Sequence, residues 1–228
     1  LAGASLATPF ISGYGADLEI TGDDVFMPTF FQTVGKFTSS GTVVDDTFIT
    51  SPALLDHPGD IVRSGNTLYV SVEGNGSVAT YNATTGAVIN TSFITGLSNP
   101  LALAITNNIL YVANFGNDSI GVYNATTGAV INASFITGLN DPVDLAVFGG
   151  FLYVANRNSG QIGKYDANSG LAVDASFISV TYPTAVAVAF DKSTAIDLGV
   201  ISTTTTDYAT ADRTVSVEVA SAKEVIWY

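Results

Sequence analysis

The chain has no cysteine, and its 228 residues include one histidine, one tryptophan and one methionine. Without cysteine there is no disulfide and no thiolate metal site. A single histidine, His57, rules out a histidine-rich zinc centre. Triad chemistry would need Ser or Asp beside His57, and no nucleophile-elbow pattern accompanies it. Charge is scarce as well: Asp, Glu, Lys and Arg make up 12% of the chain, against about 25% in an ordinary globular domain. Seven Lys and Arg face 20 Asp and Glu, for a net charge of −13. Such a field repels nucleic acid and anionic lipid, which excludes both as principal partners. No apolar run reaches the length of a membrane-spanning helix, so membrane insertion is not expected. The chain opens on Leu1 rather than Met, which fits removal of a leader, although residues 1–7 lack the basic start and apolar core of a signal peptide.

What is present is a repeat. Asn82–Leu97 reads NATTGAVINTSFITGL and Asn124–Leu139 reads NATTGAVINASFITGL, 42 residues on with one mismatch. The pairs Phe10-Ile11, Phe48-Ile49, Phe93-Ile94, Phe135-Ile136 and Phe177-Ile178 extend the unit at spacings of 38, 45, 42 and 42 residues. Modules of this period cannot bury their apolar faces alone and must stack. Within one module, Leu101–Ile105, Ile109–Ala113, Ile120–Tyr123 and Ala129–Ile136 are apolar or β-branched runs separated by Asn, Gly, Ser and Thr turns. No helical period competes with them. Four strands per 42 residues predict an all-β fold, a β-propeller of about five four-stranded blades; a parallel β-helix is the second choice. A single propeller domain over 1–228 is expected, with blades near 14–50, 57–94, 99–136, 141–178 and 182–228, the last joined by residues 1–12.

The runs Leu110-Tyr111-Val112-Ala113-Asn114, Leu152-Tyr153-Val154-Ala155-Asn156 and Leu68-Tyr69-Val70, with Tyr123-Asn124 and Tyr165-Asp166 each followed by a turn glycine, resemble NHL and YVTN-type β-propeller repeats over roughly residues 14–190. That resemblance implies the propeller fold and, more loosely, an extracellular or cell-surface location.

The last module is atypical. Tyr182–Ala189, Ala195–Ile201, Thr214–Ala220 and Glu224–Tyr228 already supply four strands, which leaves the N-terminal Thr8–Ser12 strand surplus. It could close the ring within the chain or pair with the edge of a second molecule. Ring closure is the default expectation.

Candidate chemistry lies in the carboxylates. Aligning the modules places Asp17, Asp60 and Asp144 at one position on the first strand, where Ala102 and Ala185 stand in the other two. Three inward carboxylates are a donor set for a hard cation such as Ca²⁺. The competing reading, which the position favours, gives each Asp to backbone N–H groups near the strand start. Asn-X-Ser/Thr sites occur at Asn75, Asn82, Asn90, Asn117, Asn124 and Asn132, as glycosylation acceptors or as ordinary turn residues. Phe30, Phe31, Phe115, Trp227 and Tyr228 fall where other modules carry polar or varied residues, and they read as contact residues.

These features predict a non-enzymatic, extracellular structural or interaction module that self-associates into a surface layer or fibre through its terminal strands, with no cofactor unless calcium. A propeller binding a glycan or small ligand at the channel mouth is the rival. A lyase or glycosidase, which would need two opposed carboxylates, ranks third.

Overall fold

A computed structural model describes residues 18–28, 32–50, 55–189 and 199–204. Each repeat is a four-stranded antiparallel meander. The first comprises β1 (Glu19–Thr21), β2 (Asp24–Pro28), β3 (Thr33–Thr38) and β4 (Val43–Thr50). The second runs β5 (Pro58–Ser64), β6 (Thr67–Val72), β7 (Ser77–Asn82) and β8 (Val88–Thr95). The third is β9 (Pro100–Thr106), β10 (Ile109–Asn114), β11 (Ser119–Asn124) and β12 (Val130–Thr137). The fourth is β13 (Pro142–Phe148), β14 (Phe151–Asn156), β15 (Gln161–Asp166) and β16 (Ala172–Ser179). A two-stranded sheet follows, β17 (Pro183–Ala189) paired with β18 (Gly199–Thr204). The second of these strands continues past Ile201 to Thr204. The terminal segments 1–12, 214–220 and 224–228 lie outside the described residues, so the described architecture is four complete sheets and part of another.

The first strands of successive sheets stand side by side, β5 beside β9, β9 beside β13 and β13 beside β17, which makes them the inner ring. Sequence explains the packing. On the second and third strands both faces are apolar, because each sheet is sandwiched between two others: Leu68 and Val70 face the first sheet, with Phe26, Val34 and Ile49, while Tyr69 and Val78 face the third, with Leu110 and Val112. Each fully buried aliphatic side chain of this kind contributes about 1.5–3 kcal/mol. Fourth strands are mostly exposed over their first half and buried near the Phe-Ile pair.

Two backbone devices recur at the junctions. The turn glycine between third and fourth strands, Gly86, Gly128 or Gly170, has φ between +69° and +73° and abuts the carbonyl of Phe48, Phe93 or Phe135 in the preceding sheet. A side chain at that point would collide with main chain, so glycine is required twice over, by conformation and by space. The hydroxyl of Tyr69 donates to the carbonyl of Ala125, and that of Tyr111 donates to the carbonyl of Ala167.

Candidate functional site

Asp60 and Asp144 sit near the starts of β5 and β13 and are 4% and 5% exposed. Asp60 Oδ1 accepts the N–H of Ile61 at 2.5 Å, and Oδ2 accepts the N–H of Leu103, on the next sheet, at 2.6 Å. Asp144 repeats the arrangement, Oδ1 with Leu145 N at 2.7 Å and Oδ2 with Val186 N at 2.5 Å. Each buried carboxylate thus meets two backbone donors, which offsets the cost of removing its charge from water. Ser71 supports the first: its Oγ accepts Asp60 N–H at 2.8 Å and donates to Leu101 O at 2.8 Å. Asp17, the third member of the expected ring, lies outside the described residues. Among the described residues no group of three or more His, Asp or Glu is gathered to hold a metal ion.

The loops joining fourth to first strands and second to third strands share one end of the ring. His57 is here, at φ +55° before Pro58, with Nδ1 2.9 Å from Asp56 Oδ1 and its side chain 72% exposed. Asn99, Asp141 and Tyr182 occupy the same left-handed position before the proline of later sheets. Carbonyls at these points accept N–H groups from the second-to-third-strand loop, as in Glu73 N to His57 O, Phe115 N to Asn99 O and Arg157 N to Asp141 O. Polar links also cross between sheets, from Asn99 Nδ2 to Glu73 Oε1 at 3.3 Å and from Asp141 N to Asp118 Oδ1 at 2.7 Å. Phe115, read from sequence as a contact residue, is half-buried. The guanidinium of Arg157 lies 5.1 Å from its ring centroid while reaching Asp141 Oδ2 at 3.5 Å. Phe30, Phe31, Trp227 and Tyr228 lie outside the described residues.

The Asn-X-Ser/Thr positions have defined local roles. Asn82 Oδ1 accepts the N–H groups of Thr84 and Thr85, Asn124 Oδ1 those of Thr126 and Thr127, and Asp166 does the same in the fourth sheet. Asn90 and Asn132 accept the N–H two residues on, from Ser92 and Ser134; Asp45 and Asp174 do so in sheets that carry no such site. Asp serving equally well shows that the carbonyl-type oxygen is what the turn uses. Asn117 Oδ1 accepts the Ser119 hydroxyl, and Asn75 is exposed in the β6–β7 loop.

Two features escaped the sequence reading. One is an ionic cluster at the first junction, where Asp24 meets Lys36 at 3.0 Å and Arg63 at 3.9 Å, beside Glu19. Burial pushes the Glu19 carboxyl up, against the hydrogen bond from the Thr21 hydroxyl, a backbone hydrogen bond from Arg63 and the Arg63 charge. In so charge-poor a chain, Glu19, Asp24, Lys36 and Arg63 falling within two modules was the available signal. The other is the outer rim: Val43 and Val44, Val88 and Ile89, Val130 and Ile131, and Leu171 and Val173 are each between 53% and 71% exposed at or just before the start of a fourth strand. Their alternation with turn residues made them look like ordinary strand, and exposure of both faces follows only from their place at the edge.

No protein-family model matches the chain, and no curated protein matches it in sequence. Solved structures do match. The computationally designed Ika8 protein aligns with a TM-score of 0.60 at 16% identity, over 81% of this chain and 54% of its own. Virginiamycin B lyase from Staphylococcus aureus aligns with a TM-score of 0.63 at 17% identity, over 82% of this chain and 61% of its own. The fold is a β-propeller. A gluconolactonase from Xanthomonas campestris, also a propeller, aligns with a TM-score of 0.61 at 14% identity over 78% of this chain. The chain spans between about half and two thirds of the length of these structures. Identities this low speak to the fold of the propeller and not to its activity.

Proposed function

We propose that this β-propeller is a non-enzymatic, extracellular structural or interaction module that associates with copies of itself. The observation that carries the reading is the rim. An adjacent apolar pair stands exposed at the start of the outer strand in three of the four described blades, and in the fourth Leu171 and Val173 flank Ala172 at the same place. Scattered apolar side chains are normal on a surface, but a motif repeated around a perimeter offers identical contact points to identical neighbours. Low charge supports the reading, since few ionic groups must be desolvated when such edges meet. In the same reading the chain is an NHL/YVTN-type propeller of five blades. Its terminal strands close the ring or exchange between molecules. The aspartates that a lyase or glycosidase would recruit, Asp60 and Asp144, are occupied by backbone donors, which favours an interaction role over catalysis.

Sedimentation velocity over a range of concentrations, with electron microscopy of the same samples, tests this. Concentration-dependent oligomers or strings of rings are expected, and Val130→Lys with Ile131→Lys should dissolve them without lowering the melting temperature. A monomer at every concentration would overturn the reading.

A further inference from the structure

Blades 2 and 3 are joined on the inner ring by Asp60, and blade 4 is joined to β17 by Asp144. Between blades 3 and 4 the corresponding position is Ala102, and the place of Ser71 is taken by Ala113. We propose that the inner ring contains two clipped pairs, β5 with β9 and β13 with β17, separated by an unclipped seam between β9 and β13 that opens before either clipped junction.

The geometry explains why aspartate and alanine alternate along this part of the ring. Each carboxylate takes two N–H groups: that of the next residue in its own strand, and the equivalent one in the following blade. The second donor is free to be taken only if the following blade has no carboxylate of its own there. Ala102 leaves Leu103 N–H to Asp60, and Ala185 leaves Val186 N–H to Asp144. Between β9 and β13 both conditions fail, because Ala102 has nothing to offer and Leu145 N–H already belongs to Asp144. That seam keeps its apolar packing of Ala102, Ala104 and Tyr111 against Leu145 and Leu152. It also keeps the Tyr111–Ala167 and Asp118–Asp141 hydrogen bonds, which lie away from the inner strands. A buried hydrogen bond to a charged acceptor is among the stronger single contacts available, so its absence marks the weaker junction.

The absence of cysteine makes a direct test simple. Ala104 and Ala146 occupy the same place in successive blades, Ala104 facing the seam and Ala146 facing the clipped junction with β17. Ala104 is the more buried of the two. Ala104→Cys in the full chain should nonetheless be labelled by a thiol reagent about 10-fold or more faster than Ala146→Cys, the factor expected of one charge-assisted hydrogen bond. Equal labelling, or faster labelling of Ala146→Cys, would overturn the seam.

The clips themselves are tested in the unaltered protein by scalar coupling across the hydrogen bond, from Leu103 nitrogen to Asp60 Cγ and from Val186 nitrogen to Asp144 Cγ. Absence of either coupling defeats the proposal. Ala102→Asp gives the sharpest variant. Its new carboxylate should claim Leu103 N–H and abolish the Leu103–Asp60 coupling, whereas persistence of that coupling would refute the alternation rule.

Discussion

The hydroxyl of Tyr69 donates to the carbonyl of Ala125 across 2.7 Å, linking the second strand of one blade to the turn of the next. Tyr111 and Ala167 repeat it at 2.8 Å, and both links span 56 residues. Tyr81 is a contrasting case, because its hydroxyl is buried with no hydrogen-bond partner among the described residues. Removing the hydroxyl should therefore have opposite consequences. Tyr69→Phe and Tyr111→Phe should each cost about 1–2 kcal/mol in urea unfolding, while Tyr81→Phe should be neutral or stabilising.

Gly128 and Gly138 share a left-handed backbone, at φ +72° and +74°, but differ in surroundings. Gly128 abuts the Phe93 carbonyl of the preceding blade, whereas a side chain on Gly138 would meet open space. Gly138→Ala should cost about 1–2 kcal/mol, the conformational penalty alone. Gly128→Ala should cost clearly more, since main chain must also move. Equal midpoints in chemical denaturation would contradict the close approach.

Burial pushes the Tyr81 phenol up from 10.0 to about 12, and it raises Tyr69, Tyr111, Tyr123 and Tyr165 as well. Tyrosine ionised in the unfolded chain at pH near 10 is still neutral in the folded one, so the unfolded state binds fewer protons in this window. Stability should be fully present below pH 10 and fall as pH climbs toward 12. Ultraviolet difference spectra should show much of the phenolate appearing together with unfolding, rather than in a separate earlier step.

Asn90 and Asn132 hold a bulge in the outer strand, with register shifts against β7 and β11 at that point. Bulges at an exposed edge keep it from pairing indiscriminately. Asn90→Asp with Asn132→Asp should behave like the parent, because Asp45 and Asp174 do this work elsewhere. Asn90→Ala with Asn132→Ala should straighten the edge and raise light scattering during incubation.

How much of this was legible follows from the range of each interaction. The strands of the third blade fall within about a residue of where alternation and turn residues place them, because strand and turn preferences are local. Asp60 and Asp144 were picked out by alignment, but their second partner is an N–H group 42 or 43 residues away. A backbone donor leaves no mark in the sequence. The Arg157 guanidinium beside the Phe115 ring left no local signal, because it comes from the next blade. The exposed rim pairs read like any half-buried strand, since residue type does not say which strand is outermost.

Because Gly86, Gly128 and Gly170 set the gap between neighbouring blades by main chain against main chain, that gap does not depend on which side chains either neighbour carries. A copied module therefore brings this main-chain contact with it. The near-verbatim duplication of 82–97 at 124–139 is what a gene growing by such copying would leave behind.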